Sequence, residues 1–243
     1  MSERIWITGA GSGIGEALAI AIAGRGASVI ASGRRAAPLK ALEQRHPAIS
    51  ALPLDVTDAE AVTRAVAGMG RVDTAILCAG TYLPTPGQSF DAATVRGLME
   101  TNLMGTVHCV AALLPGMLAR RAGRLVLVAS VAGYRGLPTA AGYSASKAAV
   151  IALAESLKTD LEGSGLRVNL VNPGFVDTPL TRQNSFPMPD LISAEAAAAT
   201  ILRGLAGRRF EIAFPARFAA VMKLLRLLPD RAFFAVMNKV AGR

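Results

Sequence analysis

Tyr143 and Lys147 lie four residues apart in the run Tyr-Ser-Ala-Ser-Lys. On a helix this spacing brings the two side chains together on one face. The pKa of an ordinary tyrosine is about 10, which is too high for proton transfer at neutral pH, and a neighbouring ammonium lowers it by favouring the phenolate. Because such a pair is common by chance, it alone favours a packed surface tyrosine, and a general acid or base is the alternative.

A glycine-rich segment, residues 8–15, follows an apolar run and precedes a helix-like pattern. Glycines allow a tight turn and a close approach to a diphosphate, and a helix N-terminus offers unpaired N–H groups and a positive dipole end. The spacing departs from G-x-G-x-x-G, because the third glycine would fall at Ile14 or Glu16. The segment predicts a dinucleotide site, with a simple tight turn as the alternative.

The second apolar run ends in Arg34 and Arg35, with no Asp or Glu beside them. In dinucleotide sites a carboxylate at this point binds the ribose 2′-hydroxyl, whereas an arginine accommodates a 2′-phosphate. A guanidinium pairs with phosphate through two hydrogen bonds, and a carboxylate repels it. Arg34 therefore predicts NADP(H) over NAD(H), and the alternative is two solvated loop arginines.

Short, continuously apolar runs alternate with helix-like patterns along the chain, as in parallel strands that are covered on both faces. This alternation predicts an α/β fold with a doubly wound parallel sheet. We predict one domain over residues 1–214 and a basic amphipathic helical extension over residues 215–243. The strand-like runs are Ile5–Thr8, Ser28–Ser32, Ile49–Leu54, Thr74–Cys78, Leu125–Ala129, Arg167–Val171 and Phe210–Ala213.

Composition excludes several classes of protein. The chain has 243 residues, of which 52% are hydrophobic and 18% charged, and this balance excludes intrinsic disorder. Its two cysteines and two histidines lack metal-ligand spacing, so we expect no metal site. The first residues lack the features of a secretory signal, so we expect a cytoplasmic protein.

The net charge of +9 is concentrated near the C-terminus. Residues 201–243 contain nine Lys or Arg and two Asp or Glu, which leaves a net charge of +2 for the first 200 residues. The basic residues stand among Leu, Met and Phe, without a nucleic-acid reading motif or a basic stripe with aromatic stacking residues. This pattern favours packing or a membrane surface and predicts no binding to nucleic acid.

Five motifs occur in the order typical of the classical short-chain dehydrogenase/reductase family, which this sequence resembles. They are Thr8-Gly9-x-x-x-Gly13-x-Gly15, Asn102, Ser130, Tyr143-x-x-x-Lys147 and Pro173-Gly174, and Leu54-Asp55-Val56-Thr57 and Cys78-Ala79-Gly80 fit further family motifs. The resemblance covers roughly residues 1–210. It implies a seven-stranded parallel Rossmann-type sheet and a homodimer or homotetramer.

The resemblance implies catalytic roles for four residues. Tyr143 would be the general acid in carbonyl reduction and the base in alcohol oxidation, and Lys147 would lower its pKa and hold the nicotinamide ribose. Ser130 would hydrogen-bond the substrate oxygen as charge develops on it. Asn102 would bend its helix locally and hold a water of the proton relay.

The resemblance also implies the contacts of the cofactor. Asp55 would bind the adenine amine, the backbone of Val176 would lie near the nicotinamide amide, and Thr178 would lie near that amide or a phosphate. Cys78 stands where the family usually has Asn, and we expect cofactor binding to survive because the loop still places its backbone. The implied cofactor-binding residues are Thr8, Gly9, Ser12, Gly13, Ile14, Gly15, Arg34, Asp55, Val56, Cys78, Ala79, Gly80, Tyr143, Lys147, Pro173, Gly174, Val176 and Thr178.

Two segments are predicted to complete the substrate pocket. One is Tyr134–Thr139, and the other is Leu180–Ile192, whose proline-rich, aperiodic sequence is typical of a mobile lid. The second segment includes Gln183, Asn184, Phe186, Pro187, Met188 and Pro189. Its apolar character suggests an apolar or weakly polar substrate, and Arg182 leaves a carboxylate-bearing substrate as a less favoured alternative.

The C-terminal extension carries two amphipathic patterns. The first groups Phe218, Val221, Met222, Leu224, Leu225 and Leu228 on one helical face, and the second groups Phe233, Val236, Met237 and Val240. An apolar helix face must be buried, and packing on the body or on a sister subunit is the simpler expectation. Docking on an anionic membrane, at its inner face, is the alternative, because basic amphipathic helices bind there.

Together these features predict an NADP(H)-dependent oxidoreductase that transfers a hydride between the nicotinamide and a carbonyl or secondary alcohol, with Tyr143 as general acid and base. Two alternatives stay open. One is an NAD-dependent alcohol dehydrogenase of the same family. The other is a non-catalytic cofactor-binding protein, against which the joint presence of Ser130, Tyr143 and Lys147 argues.

Overall fold

A computed structural model describes residues 2–183 and 188–240. It contains a seven-stranded, fully parallel sheet with strand order β3-β2-β1-β4-β5-β6-β7. The prediction of a doubly wound parallel sheet is confirmed. The strands are β1 (Arg4–Thr8), β2 (Ser28–Gly33), β3 (Ile49–Pro53), β4 (Thr74–Leu77), β5 (Gly123–Val128), β6 (Leu166–Pro173) and β7 (Glu211–Phe214).

Both faces of the sheet are buried, which explains why its strands are apolar at consecutive positions. Along β1, Trp6 packs into one core cluster, whereas Ile5 and Ile7 pack into a second cluster on the opposite face. The buried indole N–H of Trp6 donates a hydrogen bond of 2.9 Å to Ser32 Oγ, so this polar atom costs little to bury.

Helices cover each face of the sheet. Helices α1, α2 and α7 contribute to the cluster around Ile7, and α3, α5, α6 and α8 contribute to the cluster around Trp6. The helices are α1 (Gly13–Ala23), α2 (Ala36–Arg45), α3 (Ala59–Met69), α4 (Ala92–Met99), α5 (Gly105–Ala119), α6 (Ala141–Asp160), α7 (Ala194–Ala206), α8 (Ala216–Leu227) and α9 (Asp230–Val240).

Helices α4 and α5 are joined by a π-helical segment, Glu100–Met104, so the chain is helical from Ala92 to Ala119. By length and composition, this helix could cross a membrane, and among the described residues one helix meets that criterion. Its most apolar window is 39% buried. Cys109, Leu113 and Met117 of this helix pack in the core beneath the sheet.

The order of the strands reverses beside β1, because β2 and β3 lie on one side of it and β4 to β7 on the other. In open α/β sheets, ligands bind at the carboxyl ends of the strands next to such a switch point. The segments after β1, β4, β5 and β6 therefore meet at the carboxyl end of the sheet, and most of the predicted site residues lie there.

Candidate functional site

The glycine loop between β1 and α1 is shaped by close backbone contacts. Gly9 and Gly13 have φ values of +69° and +58°, which side chains disfavour. A β-carbon on Gly9 would lie 2.8 Å from the Cα of Ala79, and one on Gly15 would lie 2.4 Å from the carbonyl oxygen of Gly9. The loop thus folds against the end of β4 and directs the N-terminus of α1 into the cleft, as a diphosphate requires.

Thr8 acts on this loop from beneath. Its buried hydroxyl accepts hydrogen bonds from the backbone N–H groups of Cys78, at 3.0 Å, and Ala79, at 3.1 Å. The side chain therefore ties the end of β1 to the end of β4. Thr8 does not line the cleft, so its role is to position the backbone behind the glycine loop.

The segment after β6 closes the cleft from the other side. Val176 and Thr178 both line it, and Thr178 lies against Gly13, where a β-carbon would come within 2.8 Å of Thr178 Cγ2. Thr181 holds this segment, because its hydroxyl donates to the carbonyl of Val176 or Thr178 and accepts from the Thr178 N–H at 3.0 Å.

Two cations lie at the adenosine end of the cleft. Arg34 and Arg35 follow β2, both are exposed, and both line the cleft. Neither forms an ion pair with any residue that the structure describes. Their guanidinium groups are thus available to an anionic ligand. Arg35 was not among the predicted contacts, although it stands next to Arg34 in the same loop.

Ser130, Tyr143 and Lys147 meet in the same cleft, which has a volume of about 590 Å³. Ser130 follows β5, and the two other residues lie on α6. Gly133 permits this approach, because a β-carbon there would lie 2.7 Å from the backbone carbon of Lys147. The turn carrying Ser130 therefore packs directly on the helix that carries the tyrosine and lysine.

Burial raises the pKa of Tyr143 to about 12, against a hydrogen bond with Ser130 that lowers it. The prediction that Lys147 lowers the pKa of Tyr143 is wrong for this arrangement. The ammonium nitrogen lies 5.9 Å from the Tyr143 ring centroid and donates to the carbonyl of Val128 at 3.0 Å, so desolvation dominates. The neutral phenol at physiological pH is the form that donates a proton.

Lys147 is buried, and its burial lowers its pKa to about 8. Its bond to Val128 uses one of the three hydrogens of the ammonium. The remaining hydrogens can bind hydroxyl oxygens of a ligand in the cleft, which is what holding a ribose requires.

Asn102 lies in the π-helical segment, so its helix departs from regular α-helical geometry there, while the predicted bend and relay water stay predictions. Its side-chain oxygen accepts from the N–H of Thr81 at 2.7 Å, and its amide donates to Thr81 O at 3.1 Å and Ser146 Oγ at 2.9 Å. These bonds link the segment after β4 to α6. Asn102 does not line the cleft, but a β-carbon on Gly80 would lie 3.3 Å from its oxygen and 3.4 Å from Lys147 Nζ.

Asp55 and Val56 also lie outside the lining of the cleft. Asp55 Oδ1 accepts from the backbone N–H of Thr57 at 3.0 Å and from its hydroxyl at 2.8 Å. The carbonyl of Val56 lies 2.9 Å from the Nδ1 atom of His108. Asp55 is partly buried and keeps one carboxylate oxygen outside these bonds, so its predicted adenine contact stays a prediction.

Cys78 lines the cleft beside Lys147. Burial raises the pKa of its thiol to about 11, and the nearby Lys147 opposes that rise only in part. At neutral pH the thiol is therefore protonated and a poor nucleophile. The cysteine serves here as a small side chain at the end of a strand.

The predicted pocket segment Tyr134–Thr139 does not line the cleft, which corrects the prediction for all six of its residues. The hydroxyl of Tyr134 binds Glu211, and Arg135 binds carbonyls at the end of α8. Tyr82, which sequence reasoning missed, packs edge-on against Tyr143, with ring centroids 5.2 Å apart and an interplanar angle of 89°.

The predicted lid is described in part. Leu180 and Thr181 line the cleft together with Pro179, and Ile192 forms a bridge with Val176. Arg182 pairs with Asp177 at 2.9 Å, so its charge is already balanced. The residues Asn184, Phe186 and Pro187 named above lie outside the described residues.

Most of the predicted cofactor residues share the cleft, and several of its other lining residues were missed. The lining includes Gly9, Ser12, Gly13, Ile14, Gly15, Arg34, Cys78, Gly80, Pro173, Gly174, Val176 and Thr178. Gly11 and Gly33 also line the cleft, and the glycine-rich sequence of the two turns could have indicated both residues. Thr81 and Pro179 carried no comparable signal.

The family model described as "short chain dehydrogenase" matches residues 3–187 of this chain. An uncharacterized oxidoreductase of Myxococcus xanthus is 37% identical over 242 residues, covering 96% of each protein. A 2-keto-3-deoxy-L-fuconate dehydrogenase of Xanthomonas campestris is 39% identical over 178 residues, which span 73% of this chain and 59% of that enzyme.

Solved structures agree with this similarity. A short-chain dehydrogenase from Burkholderia cenocepacia, in complex with NADP, superimposes with a TM-score of 0.86 and 28% identity, and 97% of each chain is covered. With the family model matching most of the chain and the sheet, glycine loop and Ser-Tyr-Lys cluster in place, the protein belongs to the short-chain dehydrogenase/reductase family of oxidoreductases.

Proposed function

We propose that the protein reduces an apolar or weakly polar carbonyl compound with NADPH. The observation that carries this proposal is the meeting of Ser130, Tyr143 and Lys147 in the cleft that the glycine loop enters. A binding protein would need the loop but not a proton donor beside it. When bound, the cofactor supplies the hydride that adds to the carbonyl carbon.

The residues of the chain would then handle the oxygen atom. Ser130 Oγ hydrogen-bonds the carbonyl oxygen and stabilises the negative charge that develops on it. Tyr143 Oη donates its proton to that oxygen, completing the alcohol, and takes a proton back from solvent afterwards. Lys147, fixed by the carbonyl of Val128, holds the nicotinamide ribose with its remaining hydrogens.

The preference for NADP(H) rests on the adenosine end of the site. Arg34 and Arg35 are exposed, line the cleft and have no carboxylate in their loop to repel a 2′-phosphate. The similar Burkholderia cenocepacia dehydrogenase binds NADP. One charge-assisted hydrogen bond to the 2′-phosphate contributes about 1.5–3 kcal/mol, a preference of at least about tenfold.

The proposed substrate class follows from the described wall of the cleft. Val176, Pro179 and Leu180 are apolar, and the charge of nearby Arg182 is balanced by Asp177. The Xanthomonas relative is named for a keto acid, so a charged substrate is the comparison to make.

A substrate panel tests the proposal. Consumption of NADPH and of NADH is followed with apolar ketones, aldehydes and quinones, and with 2-keto acids as the charged comparison. We expect turnover of at least one apolar carbonyl, with kcat/KM at least about tenfold higher for NADPH than for NADH. Turnover of keto acids alone contradicts the substrate class, and NADPH binding without any turnover favours a non-catalytic role.

A further inference from the structure

The two C-terminal helices α8 and α9 carry an unusual share of exposed apolar surface. In the part of the chain that the structure describes, ten large apolar side chains are exposed, and six of them lie in these two helices. The six are Val221, Leu224, Leu227, Phe234, Val236 and Val240. Scattered apolar residues on a surface need no explanation, but a concentration of this kind marks an interaction site.

Helix α8 is apolar on more of its circumference than the body of the protein covers. Ala219 and Met222 are buried in the core. Val221, Leu224 and Leu227 follow one another at intervals of three residues and form a separate stripe, with Leu224 64% and Leu227 78% exposed. The buried side fixes the helix on the body, so the stripe cannot be covered by rotating the helix.

The same helices carry a strong excess of positive charge. Residues 216–240 include five basic residues and one acidic residue, Asp230. Asp230 is paired with Arg135 of the body, and Lys223 is paired with Glu211. The other four basic residues form no ion pair with the described part of the chain; they are Arg217, Arg226, Arg231 and Lys239.

We propose that α8 and α9 dock on an anionic lipid bilayer. Apolar side chains enter the boundary between headgroups and acyl chains, while the flanking Lys and Arg contact anionic headgroups. Exposed Leu224 and Leu227 supply the apolar part of this surface, and the unpaired cations supply its charge. The proposal does not depend on the substrate or on the cofactor.

Charge argues against a second copy of the chain as the occupant. A two-fold symmetric interface brings the same surface of each copy together. The unpaired cations of α8 and α9 would then face their equivalents without carboxylates to balance them, since Asp230 is taken by Arg135. An anionic bilayer offers both the negative charge and the apolar phase.

Docking in this orientation also sets the distance between the candidate active site and the bilayer. Phe218 of α8 packs against Phe175, with ring centroids 5.2 Å apart, and a β-carbon on Gly174 would lie 2.7 Å from the Phe218 ring. Leu224 and Leu227 lie about 120° and 180° around the helix from Phe218, and the diameter of a helix with side chains is about 10–12 Å. The segment after β6 would therefore stand about one helix diameter from the bilayer.

Vesicle co-sedimentation of the full chain tests the proposal. The vesicles contain phosphatidylcholine alone, or phosphatidylcholine and phosphatidylglycerol in a ratio of about 7:3. We expect the protein to sediment with the anionic vesicles only, and less of it at high salt. The partition coefficient should fall about tenfold or more in Leu224→Ser/Leu227→Ser and in Arg217→Gln/Arg231→Gln.

Matched variants keep the test specific. Phe90→Ser/Leu118→Ser removes two exposed apolar side chains elsewhere, and Arg25→Gln/Arg96→Gln removes two exposed cations elsewhere. Both should bind vesicles as the unmodified protein does, and all four variants should keep its thermal midpoint and NADPH affinity.

Three results would overturn the proposal. They are a protein that stays in the supernatant with both vesicles, equal binding to neutral and anionic vesicles, and equal losses in the matched variants. A smaller mass of the α8 variants in light scattering, without vesicle binding by the unmodified protein, would instead identify an interface between copies of the chain.

Discussion

Gly13 and Thr178 close the cleft from opposite sides, so near to each other that a β-carbon on Gly13 would lie 2.8 Å from Thr178 Cγ2. Gly13 begins α1, and Thr178 follows β6. The contact joins the glycine loop to the segment expected over the nicotinamide. The space between them is therefore a sensitive point of cofactor binding.

The first prediction concerns Gly13→Ala. The added methyl group would press on Thr178 and would hold alanine at φ +58°, at a cost of about 1–2 kcal/mol. We expect the Kd for NADPH, measured by calorimetry, to rise at least about tenfold because the loop must shift.

Gly26→Ala is the matched control for this change. Gly26 also has a positive φ, +87°, but nothing lies within 4 Å of its missing β-carbon and it is remote from the cleft. Both variants should lower the thermal midpoint, and only Gly13→Ala should weaken NADPH binding. Equal affinities for NADPH in the two variants would contradict the assignment of the loop.

The second prediction concerns cofactor preference. Arg34→Glu replaces a cation that lines the cleft with a carboxylate that repels a 2′-phosphate and can bind the ribose hydroxyls. The ratio of kcat/KM for NADPH to that for NADH should fall at least about tenfold. Arg64→Glu, far from the cleft, should leave the ratio unchanged, and an unchanged ratio in Arg34→Glu would show that Arg34 does not contact the phosphate.

The third prediction is a pH profile. Burial lowers the pKa of Lys147 to about 8 and raises that of Tyr143 to about 12, so the lysine loses its proton first as the pH rises. We expect kcat/KM for NADPH to be flat below about pH 8 and to fall above it, because a neutral amine holds the ribose less strongly.

Lys147→Arg separates this cause from others, since a guanidinium stays charged over the whole range. Its absolute rate will be lower, but its profile should lack the fall near pH 8. A fall that persists in this variant would assign the titration to another group.

The fourth prediction concerns the attachment of the C-terminal helices. Arg135 donates to the carbonyls of Leu225 at 3.2 Å and Leu228 at 2.7 Å, and its guanidinium lies 3.9 Å from the Phe233 ring centroid. Arg135→Ala should remove about 1–3 kcal/mol of stability and speed hydrogen exchange in α8 and α9.

Arg135→Lys should recover little of this loss, because an ammonium lacks the planar fork that binds two carbonyls and stacks on a ring. NADPH affinity should stay close to that of the unmodified protein in both variants. Unchanged exchange in α8 and α9, or a loss of NADPH binding in its place, would count against this role.

Local patterns made much of the site predictable. The glycine loop could be recognised because a strand, a turn and a helix follow one another within a few residues, and Tyr143 and Lys147 because one helical turn brings them together. The sheet followed from apolar runs that are buried on both faces. Each of these inferences depends on neighbours in the sequence.

Other features depended on contacts between distant segments. Tyr134 and Arg135 were expected to face the substrate, but partners on β7 and α8 draw them away from the cleft. The direction of the pKa shift of Tyr143 was wrong because burial, which the sequence does not report, outweighs the nearby ammonium. Likewise, the sequence of α8 predicted an apolar helix face, but it did not show how little of that face is buried against the rest of the protein.

Tyr143→Phe is the sharpest test of the proposed proton donor, because it removes the hydroxyl that would donate the proton and keeps the ring that packs against Tyr82. It is measured beside the unmodified protein, with NADPH and the best carbonyl of the panel, and NADPH affinity is determined for both. We expect turnover to fall by about a hundredfold or more while NADPH binds as before. Turnover that survives in Tyr143→Phe would contradict it.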